Sequence, residues 1–284
     1  MSQAIRHEID CFLRTGAHDL LCPAWPGGSV VETMRCASSS LRQALICQVL
    51  DRSRLASEPV GLEGTDLIAM TRARVSPVVR GLFPTIEQSV VLDVLARSII
   101  FLTPLKIEGV LRSEPYLRTA WNLANLYLLS CDAEPLAANA PEIIGLSQDT
   151  TCYVSMRYFS GGGRFDDIVV HEAAHIFHNC KRKRVGLKGT RRREWLLEID
   201  YAKRETFAYA CEALSRITEL GDSASARRAL LADLESGPPP ADDRVDASEY
   251  IDILREAVGA RNGWKCILRR CAPDWELLER RAPK

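Results

Sequence analysis

The chain has 284 residues, 46% of them hydrophobic, and its 37 basic side chains balance 37 acidic ones. That supplies the core of one large domain or two modest ones, and a formal charge of zero excludes recruitment to nucleic acid or an anionic membrane by a global field. No apolar run reaches the roughly 20 residues that a bilayer span requires.

The ten cysteines contain no C-x-x-C pair, so a structural zinc site on cysteine is unsupported. They read as small buried hydrophobes in a reducing compartment. The opening stretch MSQAIRHEIDCFLRTGAHDLL carries charge inside its first apolar run and lacks a signal-peptide core. The expected compartment is the cytoplasm, with leaderless secretion as an effector kept as the alternative.

In chain order, the first half reads as helices separated by Gly and Pro. SSSLRQALICQVLDRSRLA (38–56) has serine caps and helical apolar spacing. FPTIEQSVVLDVLARSIIFLTP (83–104) is bounded by prolines, with Thr85 as N-cap. SEPYLRTAWNLANLYLLSC (113–131) is expected to start at Ser113, with Pro115 in the first turn. Trp121, Leu126 and Leu128 are assigned to the core.

The character changes near residue 142. EIIGLSQDTTCYVSMRYFSGGGRFDD predicts a strand over about 151–159, a glycine loop at 161–163, and then a helix. Asp166 and Asp167 suit that helix's start, and Lys181 to Arg184 its end. A second helix is predicted over roughly 193–220. ESGPPPADD (235–243) reads as a turn or linker before a helical tail.

Within the first of these helices, VVHEAAHIFHN (169–179) holds three of the chain's five histidines. His171 and His175 are one helical turn apart and so share a face. With Glu172 between them they form H-E-x-x-H, in which two histidines bind zinc and the glutamate is general base. A hydrolytic zinc takes three protein ligands and leaves one position open. His178 and Lys181 occupy the positions where a metzincin needs glycine and histidine, which excludes that class. The third ligand is therefore expected from the second helix, where Glu198, Glu205 and Glu212 recur every seven residues. Glu205, followed by the small Ala208 one turn on, is the first choice, with Glu198 and Glu212 as alternatives. His178 is expected to support a ligand or pack rather than ligate.

H-E-x-x-H followed by a glutamate on a later helix resembles the gluzincin metallopeptidases. HEAAHIFHN with RETFAYACEAL is most similar to the ImmA/IrrE-type bacterial peptidases, over about residues 150–215. The resemblance implies a bound Zn2+ and a peptide or protein substrate. Glu172 would be the general base and the strand at 151–159 an open edge for an extended peptide. Tyr153, Tyr158, Tyr201 and Tyr209 are the oxyanion candidates. Tyr209 and Ala210 depart from the family's usual asparagine or aspartate neighbourhood, and no helix-turn-helix segment is apparent.

The expected fold is mainly α (α+β): a helical recognition or regulatory region (1–145), a minimal zincin core with a small sheet (146–235), and a C-terminal linker with helices (236–284). KRKRVGLKGTRRR (181–193) has eight basic residues and no acid. It is read as a solvated connector or as a patch for an acidic partner or nucleic acid. The expected activity is zinc-dependent endopeptidase action on a restricted protein substrate. The competing class is a non-catalytic regulatory or nucleic-acid-binding module that keeps the helix pair as scaffold.

Overall fold

The computed structural model describes residues 2–54, 65–138, 140, 145–148, 150–160 and 162–274. Residues 55–56 of the first predicted helix, Gly161 of the glycine loop and residues 275–284 of the tail lie outside the described residues. In chain order the elements are α1 (Gln3–Thr15), α2 (Val30–Arg52), α3 (Leu67–Leu82), α4 (Thr85–Ser98), β1 (Ile99–Phe101), α5 (Ile107–Ser113) and α6 (Leu117–Ser130). They continue with β2 (Gly145–Gln148), β3 (Thr151–Val154), α7 (Ile168–Asn179), α8 (Arg204–Leu220), α9 (Ala224–Ser236), α10 (Ala247–Gly259) and α11 (Gly263–Cys271). The fold is mainly helical with one small sheet, as its composition and periodicity predict.

Several boundaries differ from the sequence expectation for local reasons. The segment 83–104 divides: Thr85 opens α4 behind Pro84 without capping it, and the β-branched pair Ile99–Ile100 leaves the helix as β1. Ser113 ends α5 rather than starting α6, whose N-terminus at Leu117 has no side-chain cap. The predicted strand 151–159 extends only to Val154, and Met156–Ser160 form a 3-10 turn. Because the strand order is β1-β3-β2, β3 is central and paired on both sides. It is not the open edge that was expected to receive a peptide.

The chain forms two compact units. The first comprises Met1–Gly64, Phe101–Leu146 and Tyr153–Ser160. Its core is built from α2 and α6, with Leu41, Leu45, Val49, Leu123 and Ala124 fully buried. Gly16 closes α1 at φ 68°, where an added Cβ would lie 2.7 Å from the Trp121 ring. The Trp121 indole N–H in turn donates to the Leu13 carbonyl at 2.8 Å.

The second unit comprises Thr65–Ile100, Ser147–Cys152 and Gly161–Lys284. Here α7 packs against α8 and α3, while α8 also meets α10 and α11. Gly81 on α3 lets the Trp264 ring of α11 approach to where a Cβ would stand. The whole candidate site lies in this unit.

Candidate metal centre

Helix α7 starts at Asp167, whose Oδ1 accepts from the Val170 N–H at 3.3 Å. Its Oδ2 lies 3.0 Å from the Arg74 guanidinium of α3. Burial raises the Asp167 carboxyl to about 6, although Arg74 and the Val170 N–H oppose the shift. Val169, Val170, Ala173, Ala174, Ile176 and Phe177 are all buried. Burial around the whole circumference marks a helix embedded in a core. Such a helix presents its polar side chains at defined places.

The second helix begins later than predicted. Residues 193–200 run along the end of α7 instead of being helical: the Leu196 N–H donates to the Cys180 carbonyl and the Leu197 N–H to the Phe177 carbonyl, each at 2.9 Å. Glu198 is spent inside this segment, accepting from the Glu194 N–H at 2.6 Å and the Trp195 N–H at 2.9 Å. It lies off α8 and away from the histidines. Asp200 caps a 3-10 turn at Tyr201–Lys203, and α8 follows. Ala208 and Ala210 of α8 are fully buried, as are Ala173 and Ala174 of α7. Small side chains let two helices approach closely.

The structure brings His171, His175 and Glu205 into one cluster, with a potential ligand atom from each within 4.8 Å of the others. His171 Nε2 and His175 Nε2 are 3.1 Å apart. Glu205 Oε2 lies 3.9 Å from the first and 3.5 Å from the second. Four-coordinate zinc with bonds of about 2.1 Å sets its ligand atoms about 3.4 Å apart. The three observed separations bracket that value, so the donor set fits zinc in both type and spacing.

The surrounding hydrogen bonds assign the imidazole protons. His171 Nδ1 is 3.1 Å from Glu212 Oε2, and an ionised carboxylate only accepts. Nδ1 therefore carries the hydrogen and Nε2 the lone pair. His178 Nδ1 faces Asn179 Oδ1 at 3.1 Å, and His178 Nε2 faces His175 Nδ1 at 3.1 Å. The same logic gives His178 a lone pair on Nε2, a hydrogen on His175 Nδ1, and a lone pair on His175 Nε2. Two lone pairs and a carboxylate oxygen thus converge. They repel unless a positive charge, a proton or a cation, lies among them.

Electrostatics agree with this reading. Burial disfavours protonation of His171, yet the hydrogen bond and charge of Glu212, with Glu172 and Glu205, outweigh it and raise its pKa. Burial would raise Glu205, but His175, Arg244 and His171 hold it below the usual carboxylate range. His178 is pushed down to about 3 chiefly by burial, and the Arg204 guanidinium nearby lowers it further. It is neutral and faces Nδ1 of His175 rather than the ligand cluster.

Glu172 is buried beside the cluster and accepts a hydrogen bond from the Ser147 hydroxyl of β2. Of the oxyanion candidates, Tyr201 lines a cleft of about 560 Å3 together with His175 and Glu205. Tyr209 stands edge-on to the His171 ring, with centroids 4.6 Å apart. Tyr153 is buried in the first unit, and Tyr158 packs there against Phe101 and Phe159.

Sequence reasoning did not single out Ser147, Asp242 or Arg244. Asp242 Oδ1 and Oδ2 hold the Arg244 Nε and Nη2 at 2.9 and 2.6 Å, and Arg244 Nη2 reaches Glu205 Oε1 at 3.0 Å. The only sequence signal of the last two is the D-D-R step at 242–244, at the end of the predicted linker. The basic segment 181–193 is less free than its composition suggests. Arg182 is 1% exposed and bonded to Glu87, Lys181 pairs with Glu194 at 2.6 Å, and Arg193 lies 3.9 Å from Glu87. No family model, no curated protein and no solved structure matches this chain.

Proposed function

We propose that this chain is a zinc-dependent endopeptidase acting on peptide or protein substrates. One observation carries the reading: two imidazole Nε2 atoms and Glu205 Oε2 converge at the edge of a cleft, with the buried Glu172 carboxylate close to His171. His171, His175 and Glu205 would hold the metal. Zinc bound there lowers the pKa of water towards neutrality and polarises a carbonyl. Glu172 takes the proton of the attacking water and passes it to the leaving amine. Ser147, which donates to Glu172 Oε2, fixes which face of that carboxylate is used.

Metal analysis and a peptide assay test this together. The wild-type chain is expected to carry about one zinc, as for three-ligand sites. His175→Ala and Glu205→Ala should lose it. Glu172→Gln should keep the metal and lose hydrolysis, because an amide cannot accept the proton. Equal zinc in wild type and His175→Ala would remove the metal reading. Full activity in Glu172→Gln would remove the general base.

A further inference from the structure

The cleft beside the ligand cluster has an uneven charge. Its walls include Arg204, Arg244, His178, Asn179 and Tyr201, and among the described residues Glu205 is the one acid lining it. Glu205 is already engaged by the two histidines and by Arg244. Two guanidinium groups therefore line the space next to the reacting position: Arg244 is met by Asp242 and Glu205, whereas Arg204 meets no acid among the described residues.

Arg204 is the more telling of the two. Among the described residues it has no carboxylate partner, and its buried Nε–H finds no acceptor. Its guanidinium lies over the Tyr201 ring, 5.1 Å from the centroid. Tyr201 is itself 83% exposed. A guanidinium is always charged and presents five donors in a planar fork, so a partly buried one without an anion is an unmet demand. Arg244 differs in being pre-oriented. Asp242 holds its Nε and Nη2, while its side chain remains 68% exposed. Its Nη1 is left with no partner among the described residues.

We infer that this wall receives a carboxylate of the substrate, either an acidic side chain near the scissile bond or the substrate's own C-terminus. The inference rests on the peptidase reading of the same site. Arg204 supplies the uncompensated charge, the Tyr201 ring supplies an apolar flank, and Arg244 adds a donor whose direction Asp242 has set. Arg–carboxylate pairing of this kind is both strong and geometrically selective. Arg204 and Arg244 are thus specificity-determining residues that neither ligate the metal nor act as the base, although Arg244 also touches the ligand Glu205.

The test uses the zinc-loaded full chain and a proteome-derived peptide library, prepared with free or amidated C-termini, with cleavage sites read by mass spectrometry. Cuts should be enriched about tenfold or more for a carboxylate at a fixed position. Enrichment in both libraries identifies an acidic side chain, and cutting confined to free-acid peptides identifies the C-terminus. Arg204→Gln should lose the preference and Arg204→Lys should keep part of it. Zinc content and melting temperature are measured alongside. If Arg204→Gln loses either, Arg244→Gln carries the same comparison. Cleavage without carboxylate preference, or a preference unchanged in the Gln variants, overturns the inference and leaves the peptidase standing. No cleavage by zinc-loaded wild type overturns both.

Discussion

A single proton on each imidazole decides what the cluster can hold. Glu212 and His178 each take up the Nδ1 hydrogen of a candidate ligand, and both thereby turn an Nε2 lone pair towards Glu205. Partners of this kind commonly govern metal affinity by about 10–100-fold. Glu212→Ala is accordingly expected to weaken zinc binding by that factor in a competitive chelator titration. Glu212→Gln, which keeps an acceptor oxygen, should lose less. An unchanged affinity in Glu212→Ala would mean that His171 is oriented by packing alone. The seven-residue stripe of glutamates resolves into three different fates: Glu198 closes a turn, Glu205 faces the two histidines, and Glu212 orients one of them. The residue type was legible at all three places. The fates depend on neighbours that are distant in sequence.

At the scale of elements, the pair α7–α8 is held by its surroundings more than by its own propensity. Helix α8 has no side-chain cap, so its start follows from the segment before it, which is tied to the end of α7 by backbone hydrogen bonds and closes in a 3-10 turn. The connector between the helices is anchored by Arg182, whose Nε donates to the Lys188 carbonyl at 2.8 Å and whose guanidinium bonds Glu87 of α4. Removing one partner of a buried pair leaves the other charge uncompensated and typically costs about 3–5 kcal/mol. Arg182→Ala should destabilise the fold by that order in urea denaturation. Arg191→Gln, on an exposed residue of the same segment, should change stability by less than about 0.5 kcal/mol. Similar effects of the two substitutions would show that Arg182 is not the anchor. The composition of 181–193 could not separate these roles, because a run of like charges looks uniform until burial singles one out.

For the molecule as a whole, stability should carry the signature of Asp167. Its folded pKa of about 6 stands above the ordinary 3.8. Between those values the native state keeps a proton that the unfolded chain releases. The stabilisation is thus complete below about pH 4 and is lost as pH rises through about 6, a change of about 3 kcal/mol. The Tm of wild type minus that of Asp167→Asn should fall as pH rises from 4 to 6.5 and then level off, because only the wild type loses a proton over that range. A difference independent of pH would contradict the burial of this carboxyl. Melting curves in chelator, so that bound metal does not add to stability, give the cleanest reading.

The sequence by itself determined the helical class, the position of α7 and the identity of the histidine pair. Each of these is local: apolar periodicity, an aspartate at the start, and a four-residue step that places two side chains on one face. It also narrowed the third candidate to a glutamate of the following helix, since the spacing restricted the choice to three residues. Only the tertiary structure decided which of the three faces the Nε2 atoms of both histidines, because that depends on where α8 starts. The start is set by backbone hydrogen bonds to the end of α7 that no periodicity records. It likewise decided that β3 is central rather than an edge, that Ser147 serves Glu172, and that Arg244 reaches Glu205 from 39 positions along the chain (244 − 205). Long-range partners of that kind are chosen by packing, and packing is a property of the folded chain as a whole.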